Sequence, residues 1–140
     1  MLICCVIALL FCITGNAKVP YIPKIINYSV SDYKAGNQNW AVSQGPGGKM
    51  YIGNNRGLLV FDGIHWDLVK LPNNLGVRAL YISKDGRIYV GSFEEFGYFE
   101  MDDENDLIYH SLSSSEMNVY LNNDEFWTIN EYKGEIYFQS

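Results

Sequence analysis

The chain has 140 residues, 48% of them hydrophobic and 15% aromatic, which is enough apolar material for the core of one domain. Its net charge of −6, with ten Lys and Arg residues scattered along the chain, excludes a nucleic-acid surface, which needs clustered cations against phosphate. An acidic surface of this kind mainly favours solubility.

Residues 1–13 are an almost unbroken apolar run, and Gly15 and Ala17 supply the small residues that suit signal-peptidase cleavage after Ala17. Residues 1–17 therefore read as a signal peptide, the run being shorter than the ~20 apolar residues of a membrane span. No Lys or Arg precedes the run, so either the leader is atypical or the true start lies upstream of Met1, and a signal anchor is the rival reading. Cys4, Cys5 and Cys12 all fall in this leader, so the mature chain is expected to hold no disulfide, thiolate metal site or cysteine nucleophile. Bulky Phe11 argues against lipid attachment at Cys12. An exported, cysteine-free β-protein fits a bacterial periplasm, where the sequon Asn27-Tyr28-Ser29 carries little weight.

Residues 18–39 form the next unit. Pro20 and Pro23 predict an extended lead-in segment or edge strand over 19–33 and no helix, followed by a polar loop over 31–39. The phrase Gly48-Lys49-Met50-Tyr51-Ile52-Gly53 then returns as Gly86-Arg87-Ile88-Tyr89-Val90-Gly91 and as Gly134-Glu135-Ile136-Tyr137-Phe138-Gln139. Gly86 lies 38 residues after Gly48, and Gly134 lies 48 after Gly86, spacings that suit one four-stranded propeller blade with a longer loop in the second unit. Apolar-rich stretches at 40–44, 77–83 and 126–131 precede each glycine turn and pair with the strand after it as a hairpin. Third strands at 58–62 and 98–100 and fourth strands at 65–69 and 107–112 complete the first two units. The polar stretch 113–124 accounts for the extra length before the third copy and could hold a short helical turn.

The fold expected is all-β, a β-propeller fragment of about two and a half four-stranded blades over 40–140, with blade one at 40–71, blade two at 77–112 and the start of blade three at 126–140. Met50 and Ile52 point one way and Tyr51 the other, as do Ile88 and Val90 against Tyr89, so both faces of these strands expect cover. A ring needs about four to eight blades to close, so the chain reads as the N-terminal part of a longer protein that folds poorly alone.

The phrases Gly36-Asn37-Gln38-Asn39-Trp40, Gly57-Leu58-Leu59-Val60-Phe61-Asp62-Gly63-Ile64-His65-Trp66, Leu71-Pro72-Asn73-Asn74, Val77-Arg78 and Glu94-Glu95-Phe96-Gly97-Tyr98, with the repeat at 86–91, resemble the start of the two-component-regulator propeller proteins of Bacteroidetes that carry a three-tyrosine domain after the propeller. That resemblance implies a periplasmic sensor region in a parent anchored in the inner membrane, with a histidine kinase or LuxR-type transcription regulator as output. The partners it implies are the remaining propeller blades, the three-tyrosine domain, an oligosaccharide ligand and a second copy of the parent in a homodimer.

No catalytic constellation is expected. The pairs Glu94/Glu95, Asp102/Asp103 and Asp124/Glu125 are adjacent residues that point apart, whereas glycoside hydrolysis needs two groups facing one bond. As a calcium loop, the run from Asp102 to Asp106 lacks the following glycine and the distal glutamate. His65 and His110 stand without a nucleophile or second ligand, and Gly45-Pro46-Gly47-Gly48 is a hairpin turn with no phosphate-loop ending, so neither a metal nor a cofactor is predicted. The candidate ligand contacts are Asn37, Asn39, Trp40, Arg78, Glu94, Glu95, Phe96 and Trp127, because an aromatic face beside amides and carboxylates is what sugar binding uses. The equivalent repeat positions of Trp40 and Trp127 favour a blade-packing role for both, while Glu94 and Glu95 stand in an insertion, where binding faces of repeats concentrate. The rival functions are a secreted propeller enzyme or lectin-like module acting on polysaccharide, and a protein-interaction scaffold.

Overall fold

A computed structural model describes residues 22–114, 120–121 and 123–140. The leader, its three cysteines and part of the 113–124 stretch lie outside the described residues.

Among the described residues, ten strands make three antiparallel sheets. In the first, β1 (Asn39–Gln44), β2 (Met50–Asn54), β3 (Gly57–Phe61) and β4 (Trp66–Val69) pair in chain order. In the second, β5 (Ala79–Ile82), β6 (Ile88–Gly91), β7 (Phe96–Met101) and β8 (Leu107–Ser111) do the same, and β9 (Thr128–Tyr132) pairs with β10 (Glu135–Gln139) as a hairpin. These meanders are two four-stranded blades and half of a third, a β-propeller fragment. The repeated glycines set the turns: Gly86 and Gly134 adopt φ of 90° and 82°, a left-handed conformation that a side chain would strain.

Pleat alternation decides what each blade buries. One face of the first sheet sends Tyr51, Leu58 and Val60 against Ile88, Val90 and Phe99 of the second, with Leu71 and Val77 from the connecting link closing the same core. Its other face carries Ile52, Leu59, Phe61 and Trp66, covered by Tyr33 and Ala35 from the lead-in segment. Tyr28 adds edge-on contacts to Phe61 and Trp66. Between the second sheet and the hairpin, Phe96, Leu121 and Phe126 bury together with Phe138 packed against them. Strand β5 lies against both β1 and β9, so the first strand of each unit lines up side by side at the propeller axis.

The lead-in segment departs from expectation. Residues 30–33 form one helical turn, α1 (Val30–Tyr33), where the prolines predicted only extended chain. The local reason is a cap. The Asp32 carboxylate accepts from the Ser29 N–H at 2.6 Å and the Ser29 hydroxyl at 2.7 Å, and these bonds hold its pKa below the ordinary value. Lys34, left-handed at φ 51°, closes the turn and drives Tyr33 into the core. Pro23 lies too far upstream to oppose it.

Candidate functional site

Strand direction sorts the connections into two ends. The lower end carries the hairpin turns at 45–49, 62–65, 83–87, 102–106 and 133–134. The upper end gathers the start of β1, the β2–β3 turn, the link into β5, the β6–β7 loop and the link into β9. All eight residues proposed from sequence fall on the upper end, yet the structure brings only some of them together.

Two buried polar residues fix this end. Asn54 and Ser92 follow the equivalent glycines Gly53 and Gly91 and are fully buried. Asn54 donates to the Gly36 carbonyl at 2.7 Å and to Asn39 Oδ1 at 2.6 Å, and accepts from the Gly36 N–H at 2.8 Å. Ser92 donates to the Gly76 carbonyl at 2.5 Å. Each clamps the incoming link of its own unit to its second hairpin, which fixes the height at which Asn39, Trp40 and Arg78 emerge.

Arg78 is the hub. Its Nε donates to Glu125 Oε1 at 2.5 Å, its Nη1 donates to Asn55 Oδ1 at 2.7 Å, and its guanidinium lies 4.6 Å from the centre of the Trp40 ring. The same Asn55 oxygen accepts from Trp40 Nε1 at 2.7 Å, and the Asn55 amide nitrogen donates to Gln38 Oε1 at 2.7 Å. Trp127 meets Trp40 edge-on, with ring centres 5.9 Å apart at 69°. One guanidinium thus ties together the upper loops of all three units. Arg78 and Glu125 are themselves mostly buried, at 23% and 25% side-chain exposure, so the pair is held in a partly desolvated setting where charge-assisted bonds are strong.

The two tryptophans, whose repeat positions favoured blade packing, touch one another across units, while Trp40 stays 42% exposed and Trp127 51%. A register shift between Asn39 and Ala41 interrupts the alternation of β1 at Trp40.

The other candidates divide. Phe96 is buried against Phe126 and Phe138, with ring centres at 4.9 and 4.7 Å, so it belongs to the core and offers a ligand no face. Glu95 turns inward: Tyr109 donates to it at 2.8 Å, Ser111 at 2.6 Å and Ser113 at 2.7 Å. Burial first, and then this bond to Glu95, pushes the Tyr109 phenol well above its ordinary pKa, so it stays a donor. Glu94 is exposed at the rim with φ of 50°, and its carboxylate accepts from the Asn123 N–H at 2.8 Å. With Asn73, Leu75, Phe93 and Ser113, these two glutamates border a groove of about 430 Å³. Asn37 is exposed and makes no side-chain hydrogen bond among the described residues. Sequence reasoning missed Asn55, Gln38 and Glu125. Asn55 stood in a turn of two asparagines, and Glu125 meets an arginine 47 residues away, a pairing that no local pattern contains.

Chemically this surface offers rings, amides and one neutralised ion pair. Among the described residues no group of three or more His, Cys, Asp or Glu side chains is placed to hold a metal ion. His65 pairs with Asp62 at the lower end, and His110 pairs with Glu100 on the outer strands, both apart from the Arg78 cluster.

Residues 70–94 match the family model described as two component regulator propeller. The two component regulator propeller match spans the link after β4, strands β5 and β6 and the loop that carries Glu94, so it contains Arg78 itself. It supports a regulator propeller region, and the matched family is not a catalytic one. No curated protein and no solved structure matches the chain.

Proposed function

We propose that this chain is the ligand-sensing propeller region of a periplasmic signal-transduction regulator, responding to a glycan-related signal and passing it to a histidine kinase or LuxR-type output in the parent protein. The observation that carries this reading is the position of Arg78. It stands in the segment that matches the regulator propeller and, from the second unit, joins Trp40 and Asn55 of the first to Glu125 on the link into the third, beside the exposed Trp40 ring. Exposed indole rings beside amides suit a saccharide, the rings covering its C–H faces and the amides meeting its hydroxyls. The carboxylates nearby are engaged with Arg78, with hydroxyls or with backbone N–H groups, which suits recognition better than proton transfer. Calorimetric titration of the full chain with oligosaccharides, followed by chromatography of the recovered sugar, tests the reading. Saturable binding with the sugar returned intact is expected; release of shortened products would replace the sensor with an enzyme.

A further inference from the structure

We propose that the corner formed by Trp40, Arg78 and Trp127 takes a neutral pyranose unit and discriminates against acidic saccharides. The proposal rests on the sensing reading above and names the ligand class of that surface.

The argument begins with Arg78, the guanidinium at the centre of the corner. An acidic sugar would need a free cation there, and this one is committed on three sides: Nε to Glu125, Nη1 to Asn55, and one face to the Trp40 ring. A uronate or sulfate would find the charge of the guanidinium already neutralised by Glu125, and taking over that pairing would leave a partly buried carboxylate without its partner.

What the corner does offer is apolar and neutral. Trp40 and Trp127 are each about half exposed and stand at 69° to one another, so one ring can stack on the C–H face of a pyranose while the other borders its edge. Hydroxyl partners surround them. Among the described residues the Gln38 side-chain nitrogen and Arg78 Nη2 have no hydrogen-bond acceptor, so both can donate to sugar oxygens without disturbing the hub. Arg78 thereby serves as a positioning residue: it lies over the Trp40 ring while its Nη2 keeps no acceptor among the described residues.

The test uses the full chain, with tetrasaccharides of xylose, glucose, mannose and galactose as neutral probes and tetragalacturonate as the acidic one, read by calorimetry and by tryptophan fluorescence. At least one neutral probe is expected to bind, to be returned intact, and to keep its affinity as salt is raised, because no ion pair forms. Trp127→Ala is expected to weaken that binding roughly three- to tenfold, with Trp127→Phe recovering part of the loss. Because Trp127 is half exposed, both variants should keep the unfolding midpoint of the parent chain. Tighter binding of tetragalacturonate that fades with salt would overturn the neutral-ligand proposal and leave the sensing reading standing. Neutral binding that Trp127→Ala does not change would overturn the assigned site in the same way. Failure of every neutral probe to bind overturns the proposal as well, whereas cleavage of a bound probe overturns the sensing reading itself.

Discussion

A methyl group has no room at Gly97. A Cβ there would run into the His110 carbonyl on the neighbouring strand and the Tyr109 ring. Gly97→Ala is expected to cost about 1–3 kcal/mol through overpacking, read as a lower denaturation midpoint; an unchanged midpoint would mean β7 and β8 do not approach this closely. Asp62 gives a pH signature instead. Its carboxylate accepts from the N–H groups of His65 at 2.6 Å and Ile64 at 2.7 Å and meets the His65 ring at 3.2 Å. These bonds, the His65 N–H first, lower its pKa from 3.8 to about 2. Because the folded value lies below the unfolded one, the stabilisation is fully present above 3.8 and is lost as pH falls toward 2. An NMR titration of the Asp62 carboxyl carbon should place its midpoint near 2; a midpoint at 3.8 would show the turn open in solution. Single residues of this kind were legible where a turn demanded them, as at Gly86 and Gly134. Gly97 was not, since its constraint comes from a strand packed across it.

At the scale of elements, the β9–β10 hairpin turns through Lys133 and Gly134, both left-handed, at φ of 52° and 82°. That pair of conformations is the two-residue turn that favours Asn-Gly, and Lys133 occupies its first position against preference. Lys133→Asn should raise stability by up to about 1 kcal/mol, seen as a higher denaturation midpoint, and a loss of stability would contradict the turn geometry. The repeated glycine phrase and the apolar-rich stretches between the turns together foretold all ten strands, because the same strand–turn–strand unit returns along the sequence. The one-turn helix α1 left no such trace. It depends on a three-residue cap between Ser29 and Asp32 and on the Tyr33 ring finding the first sheet, and the prolines upstream pointed the other way.

At the scale of the whole molecule, three units stack through their first strands, and Arg78 joins their upper loops into one surface. The repeat made the stacking legible. It could not show which upper-end residues converge, because Asn55, Arg78 and Glu125 come from three different units and meet only when the blades are assembled. It also placed Phe96 and Glu95 on the outside, where the insertion looked like a rim; packing against the third unit turned one into the core, and hydroxyls on β8 and beyond drew the other inward. No helix among the described residues is long and apolar enough to cross a membrane. The most direct test of the account is amide hydrogen exchange on the full chain with and without the neutral tetrasaccharide that binds it. Protection is expected at 36–40, 54–57, 76–78 and 123–127, with the lower turns at 45–49, 84–87 and 133–134 unchanged. Protection confined to those lower turns would contradict the claim that three units build one ligand surface at the upper end.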